Sequence, residues 1–118
     1  MSDATYPSGR PLVWLSGEVR SPPFTVEARR EAGVLLRVLQ LGGTLGLPSS
    51  RPLPAIGPHC HELRVRDRDH DWRIVYHLAE EAVVILAVFP KGTRATPRPA
   101  IEACRRRLGR YQREGGDR

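Results

Sequence analysis

The sequence predicts an α+β sandwich, with a mostly antiparallel sheet of about four strands and two or three helices packed on it. Two segments with helical periodicity predict the helices, and three consecutive segments with strand patterns predict the sheet. A length of 118 residues is enough for one compact domain. We expect this domain to span residues 11–113, between a flexible leader at residues 1–10 and a flexible tail at residues 114–118.

The N-terminal part predicts one strand and one helix. Residues 11–16 form a short apolar run that ends at Gly17 and is typical of a strand. Pro22-Pro23 is typical of a first helical turn, where the N–H groups have no intrahelical partner. Alanines and leucines then recur at steps of three and four across residues 24–41, until Gly42-Gly43 ends the pattern. We therefore expect a helix across residues 24–41.

The middle of the chain predicts a long loop that borders a binding surface. Residues 42–60 contain four prolines and four glycines, a composition that disfavours regular structure. One helical turn near residues 45–48 is compatible with this composition. Long loops without secondary structure of their own are often functional, so this loop is a candidate for contact with a partner.

The C-terminal part predicts an antiparallel meander followed by a helix. Residues 63–66 and 72–78 alternate apolar and polar side chains, whereas residues 82–89 are apolar throughout, as expected of a strand buried on both faces. Thr96-Pro97 is typical of an N-cap and a first helical position. An apolar stripe across residues 101–111 then predicts the last helix.

The composition favours an anionic partner and a cytoplasmic location. The formal net charge is +6, which is typical of a chain that binds nucleic acid or an acidic protein surface, although many basic proteins bind neither. No run approaches the roughly 18 apolar residues that span a membrane, and the first residues lack the apolar core of a signal peptide. Cys60 and Cys104 match no metal or redox spacing, so we expect two reduced thiols.

Basic side chains on neighbouring strands form the main candidate site. Arg64 and Arg66 share one face of a predicted strand, Arg73 lies on the next strand, and Lys91, the only lysine, follows the third. A guanidinium group can hold two phosphate oxygens, and it would stabilise the charge that develops on phosphorus when a 2′-hydroxyl cleaves RNA. The strand register decides whether Arg73 shares a face with the other two arginines. The alternative is a solvated strand face.

Three other polar clusters favour simpler interpretations. The triplet His59-Cys60-His61 cannot easily direct three ligands to one ion, so we expect no metal, and His61 is better suited to acid–base chemistry or to contact with RNA. The aspartates at positions 67, 69 and 71 lack the other ligands of a calcium loop and are typical of a solvated turn. The arginines at 105–107 could contact phosphates or an acidic partner, but a solvated helix face is the simpler interpretation.

Four short motifs occur in an order that is characteristic of one family. They are Glu62-Leu63-Arg64, Trp72-Arg73-Ile74-Val75-Tyr76, Phe89-Pro90-Lys91 and Thr96-Pro97. In this order they resemble the RelE/ParE toxin superfamily, and most of all its phage-derived, HigB-like branch. That branch typically has a Glu-Leu-Arg strand, a Tyr-Arg-x-x-Tyr strand, an apolar strand that ends in Phe-x-Lys, and Thr-Pro before a helix. The resemblance covers roughly residues 11–112.

The resemblance implies a RelE-like fold and a ribosome-dependent mRNA endonuclease without a cofactor. Arg73, Lys91 and Arg64 would be catalytic: Arg73 would stabilise the transition state, Lys91 would donate a proton or stabilise charge, and Arg64 would bind phosphate. Three further residues would bind RNA, namely Arg66, Arg94 and His61. The implied partners are the ribosome with its mRNA and an antitoxin of the XRE helix-turn-helix type. The alternatives are a ParE-like gyrase inhibitor and a decayed phage-derived RNA-binding protein.

Overall fold

The computed structural model describes residues 9–68, 70–92 and 95–116, which form two helices and one five-stranded sheet. The elements in chain order are β1 Leu12–Trp14, α1 Val26–Gln40, β2 Ser50–Pro52, β3 Cys60–Val65, β4 Trp72–Leu78, β5 Val83–Pro90 and α2 Arg98–Arg113. The strand order is β1-β5-β4-β3-β2. β1 runs parallel to β5, and every other neighbouring pair is antiparallel. The predicted α+β class and the meander of β3, β4 and β5 are confirmed.

The sheet forms the middle layer of the sandwich, with one helix on each face. α1 packs its alanines and leucines against a cluster that includes Leu63, Ile74 and Ile85. α2 packs on the opposite face against a cluster that includes Val75 and Leu86. β5 is therefore covered on both sides, which explains why its residues from Val83 to Ala87 are apolar and buried, as predicted.

The predicted alternation along β4 is also confirmed. Trp72, Ile74 and Tyr76 pack on the α1 side, whereas Val75 packs on the α2 side. The pairing of β4 with β5 shifts register after Val75, and this irregularity lets the consecutive residues Leu86 and Ala87 both join the α2-side cluster.

Part of the predicted loop is a strand. β2 pairs antiparallel with β3 at the edge of the sheet, with Arg51 opposite Glu62. This strand has only three residues and ends in a proline, so it carries no alternating apolar pattern that sequence reasoning could detect. The predicted turn at residues 45–48 lies slightly later, where the Ser50 N–H donates to the Gly46 carbonyl over 3.0 Å. β3 also begins at Cys60, three residues before its predicted start.

Both helices begin differently from the prediction. Thr25, rather than the Pro22-Pro23 pair, precedes α1, and its hydroxyl accepts a hydrogen bond of 3.1 Å from the Ala28 N–H. At α2 the N-cap residue is Pro97, and Thr96 does not cap the helix. The Thr96 hydroxyl instead donates a hydrogen bond to the Glu62 carboxylate, and this bond ties the start of α2 to the sheet.

Arg10 ties the first described residues to the rest of the domain. Arg10, which the sequence places in the leader, donates through its guanidinium to the carbonyls of Leu39 and Ala79, and so joins the end of α1 to the end of β4. Residues 1–8, and residues 117 and 118 of the predicted tail, lie outside the described residues. Within the described chain, neither helix is long and apolar enough to cross a membrane.

Trp14 and Trp72 differ in burial because they occupy different strands. The Trp72 ring is buried and stacks on Phe24, with 4.2 Å between the ring centroids. Trp14 lies at the end of the short edge strand β1 and is 40% exposed. Both tryptophans lie in predicted strands, but only Trp72 is part of the core.

Candidate functional site

A cavity of about 270 Å³ opens where the ends of three strands meet. The C-terminal end of β3, the start of β4 and the residue that follows β5 form its walls, and the loop before β2 closes one side. Its lining residues are Glu31, Pro48, Ser49, Arg64, Val65, Arg66, Asp71, Trp72, Arg73 and Lys91. Four of the six predicted site residues are therefore brought together, and the predicted loop does border the candidate site.

The strand register places Arg73 beside Arg64. The two residues are directly opposite each other on β3 and β4, so their side chains project from the same face of the sheet. This register answers the question that the sequence leaves open. Arg66 and Lys91 are exposed just beyond the ends of β3 and β5, and the Lys91 N–H donates to the Asp71 carbonyl over 2.8 Å. That bond holds the end of β5 against the start of β4.

The carboxylate of Glu62 organises this basic cluster from beneath. Glu62 is completely buried and accepts hydrogen bonds from Arg73 Nη1 at 3.0 Å, Arg51 Nε at 3.1 Å and Thr96 Oγ1 at 2.7 Å. Arg73 is itself only 3% exposed. A guanidinium group can be buried to this extent only when a carboxylate compensates its charge. Glu62 therefore fixes the position of Arg73 against the cavity.

Arg64 is held less tightly than Arg73. Its Nε lies 3.8 Å from Glu62 Oε1, beyond hydrogen-bond distance, and its side chain is 41% exposed. The contact is thus electrostatic and leaves the guanidinium accessible at the cavity wall. The guanidinium of Arg73 is held in one position, whereas that of Arg64 is free to adjust its position. This arrangement suits an anion that must enter and leave the cavity.

The charges and hydrogen-bond donors of the cavity suit a phosphodiester. Four cationic side chains line it, against the two carboxylates of Glu31 and Asp71. Arginine forks bind phosphate oxygens in pairs, and lysine supplies a compact charge that can also give up a proton. No histidine is among the described residues that line the cavity, so Lys91 is the lining cation best suited to proton transfer.

His61 lies on the other face of the sheet. It neighbours Tyr76 across the β3–β4 pair, and the two rings stack with 5.3 Å between their centroids. Burial lowers the pKa of the His61 imidazole; a hydrogen bond with the His59 backbone opposes this shift, and the charges of His59 and His77 add to it. The Tyr76 hydroxyl in turn shares a buried hydrogen bond of 2.7 Å with Ser50. The structure therefore does not bring His61 to the cavity.

Two other candidates from the sequence remain, namely Arg94 and the His-Cys-His triplet. Arg94 lies outside the described residues. Cys60 projects from the face opposite His61, and its sulfur lies 3.4 Å from His77 Nδ1 in the α2-side core. The His-Cys-His triplet is thus split between the two faces. Within the described residues, no group of three or more histidine, cysteine or acidic side chains could hold a metal ion.

Sequence reasoning missed three residues that support the site: Glu62, Arg51 and Thr96. An acidic residue two positions from a basic residue on the same strand face, as with Glu62 and Arg64, is a detectable signal for a charge network. Asp67 was also interpreted too simply, as part of a solvated turn. Its carboxylate accepts hydrogen bonds from the Trp72 indole at 2.7 Å and from the Thr25 N–H at 3.1 Å, and so joins the turn before β4 to the start of α1.

A comparison with protein families supports the resemblance seen in the motifs. Residues 23–109 match the family described as phage derived protein Gp49-like (DUF891). The chain belongs to this family. The Gp49-like family is part of the RelE toxin-type superfamily and is commonly toxin-like. The matched region includes every residue that lines the cavity. A search of the curated proteins found no match.

Proposed function

We propose that this chain is the toxin of a type II toxin–antitoxin pair, from the HigB-like branch, and that it cleaves mRNA on the ribosome without a metal ion. The observation that carries the proposal is the convergence of Arg64, Arg66, Arg73 and Lys91 on one cavity. Membership of a commonly toxin-like family supports the same conclusion. The remaining parts of the proposal are cytoplasmic action and neutralisation by an antitoxin of the XRE helix-turn-helix type.

The proposed reaction is attack of a ribose 2′-hydroxyl on the adjacent phosphorus. The attack forms a 2′,3′-cyclic phosphate and expels the 5′-oxygen of the next nucleotide. Arg64 and Arg66 bind the phosphate, and Arg73 stabilises the additional negative charge of the pentavalent transition state. Lys91 protonates the leaving 5′-oxygen or stabilises its charge.

The 2′-hydroxyl proton also needs an acceptor. Glu31 and Asp71 are the carboxylates that line the cavity. We assign the role of general base to one of these two residues.

The experiment is induced expression in bacteria, with mRNA 5′ ends mapped on a translated and an untranslated copy of one transcript. Cuts confined to the translated copy are the expected result. Lys91→Ala should reduce cleavage by roughly 10²–10³-fold, the effect of removing one transition-state charge contact. Its folding should be unchanged because the Lys91 side chain is exposed.

A matched pair of arginine variants tests the location of the site. Arg66 and Arg68 are both exposed and lie two residues apart, but only Arg66 lines the cavity. We expect Arg66→Ala to weaken cleavage and Arg68→Ala to leave it intact. Equal effects of the two substitutions would contradict the assignment to this cavity. Growth arrest with intact mRNA would contradict the endonuclease, and loss of supercoiling in a purified gyrase assay would then favour the ParE-like alternative.

A further inference from the structure

Helix α2 carries most of the net positive charge of the protein. Between Arg98 and Arg113 the helix contains six arginines and a single acidic residue, Glu102, so it holds five of the chain's six net positive charges. One of these arginines has a structural role, because Arg107 Nη1 donates to the Leu86 carbonyl over 2.7 Å. The other five form what we call the α2 arginine face: Arg98, Arg105, Arg106, Arg110 and Arg113.

The α2 arginine face lacks the partners that would make it a purely structural surface. Within the described part of the chain, none of the four ion pairs involves an arginine of this face. Arg106 lies four residues before Arg110, and Arg110 lies three before Arg113, spacings at which like charges on a helix repel. Residues retained against such repulsion are candidates for binding an external anion.

The α2 arginine face begins beside the cavity. Thr96, just before α2, donates its hydroxyl to Glu62, the carboxylate that also holds Arg73. A surface hollow of about 420 Å³ then extends from Thr96 past Arg98 to Arg105. A second hollow of about 440 Å³ adjoins it at Arg105. The residues that line this second hollow are Ala103, Arg105, Arg106, Arg107, Arg110 and Arg113. Arginines therefore follow the helix away from the cavity for about 22 Å, at 1.5 Å per residue.

We propose that the α2 arginine face binds the sugar-phosphate backbone of the RNA strand whose scissile phosphate occupies the cavity. This inference rests on the proposed function and extends it from one phosphate to a length of backbone. Arginine forks suit successive phosphates, and the row of arginines begins two residues after Thr96, whose hydroxyl donates to the carboxylate that holds Arg73.

The lining of the two hollows favours RNA over an acidic protein. No aromatic residue is among the described residues that line either hollow. Hot spots of protein interfaces combine arginine with tryptophan and tyrosine, and the two aromatic residue types are missing from this lining, whereas backbone binding needs only charge and hydrogen-bond donors. Contacts between these arginines and the phosphates should be independent of sequence and sensitive to salt.

The test measures binding of a short, 5′-labelled single-stranded RNA by fluorescence anisotropy over a range of salt. The full-length Lys91→Ala variant serves as the parent, because it should bind without cutting. Arg106→Gln/Arg110→Gln is compared with Arg29→Gln/Arg30→Gln, which removes the same charge from exposed positions on α1, across the sheet. Single-strand contacts contribute about 0.7 each to the salt slope, so the α2 pair should lower the slope by about 1.4 and the affinity roughly 25-fold near 0.1 M salt.

The control variants should behave differently from the α2 pair. The α1 pair should change affinity by less than about twofold, and Arg106→Lys/Arg110→Lys should restore most of the binding, because lysine also contacts phosphate. Equal losses in the α1 and α2 pairs would overturn the proposal, because binding would then depend on net charge alone. Unchanged RNA binding by the α2 pair would overturn it too, and lost binding to a polyglutamate peptide would then assign the face to an acidic protein.

The failure of this inference can be distinguished from failure of the proposed function. If RNA binding depends on α2 but the chain with Lys91 intact cuts no translated mRNA, the endonuclease proposal fails and the binding face stands. The Arg106→Gln/Arg110→Gln pair could instead cut mRNA normally with Lys91 intact and bind RNA normally in the Lys91→Ala background. In that case the proposal for the α2 arginine face fails and the endonuclease proposal stands.

Discussion

Replacement of Glu62 by glutamine removes the buried carboxylate that forms an ion pair with the buried guanidinium of Arg73. The change nearly preserves side-chain volume, so it creates no cavity and isolates the electrostatic contribution. In the structure Glu62 is 0% exposed and Arg73 is 3% exposed, and their hydrogen bond of 3.0 Å is one of three that the carboxylate accepts. Removing one partner of such a buried pair costs about 3–5 kcal/mol. That is a large fraction of the roughly 5–15 kcal/mol by which a domain is stable.

The exposed ion pair between Glu18 and Arg20 supplies the control. Its shortest distance is 2.8 Å, but its side chains are 59% and 68% exposed. Solvent screens such a pair, so Glu18→Gln should cost less than about 1 kcal/mol. The comparison therefore varies burial while the separation of the charges stays similar.

Urea unfolding near pH 7, followed by circular dichroism, measures both variants. With a slope of about 1–3 kcal/mol per molar urea, the expected loss for Glu62→Gln moves the midpoint down by roughly 1–5 M. The Glu62→Gln/Arg73→Gln double variant should lose less than the sum of the two single losses, because each substitution removes the same interaction. A Glu62→Gln variant within 1 kcal/mol of the wild type, or additive losses in the double variant, would refute the organising role of Glu62.

Three further predictions follow from other parts of the structure. Gly33 is exposed within α1 and a Cβ there would meet nothing within 4 Å, so Gly33→Ala should raise the unfolding free energy by about 0.5–1 kcal/mol; a loss in the same urea assay would show that the glycine is required. Desolvation raises the pKa of Asp67, but hydrogen bonds from Thr25, Trp72 and the Arg68 N–H outweigh it and hold the pKa well below its usual value. The charged form therefore stabilises the fold above about pH 4, and this contribution is lost as the pH falls towards the folded-state pKa. Between about pH 5 and pH 3 the unfolding free energy of Asp67→Asn should therefore fall less than that of the wild type. Parallel curves of unfolding free energy against pH would contradict this. Burial raises the pKa of the Cys104 thiol to about 11, so iodoacetamide near pH 8 should modify it only after unfolding, as judged by mass spectrometry; rapid modification of the native protein would contradict this.

The periodicity of the sequence determined most of the fold. Steps of three and four predicted α1 and α2, and the alternating and apolar runs predicted β4 and β5, because these patterns are local consequences of helix and strand geometry. β2 could not be predicted in this way. It is a strand only because its three residues pair with β3, and nothing in its own side chains marks it.

The candidate site was predictable in composition but not in arrangement. The strand patterns and the motifs together identified Arg64, Arg66, Arg73 and Lys91, all of which line the cavity. Alternation along β3 already separates His61 from Arg64, so its assignment to the same site did not follow from the strand pattern. Arg94 stays a prediction, because it lies outside the described residues.

The sequence alone thus determined which face of its own strand each arginine occupies, since side chains alternate along a strand with a period of two. Only the tertiary structure decided that Arg64 lies opposite Arg73, because the register between strands depends on the turn and on the packing of both sheet faces. It also decided that Glu62 is buried beneath them and that Thr96 joins α2 to the same carboxylate. These contacts link residues 11 and 34 positions apart, and no local pattern encodes such a distance.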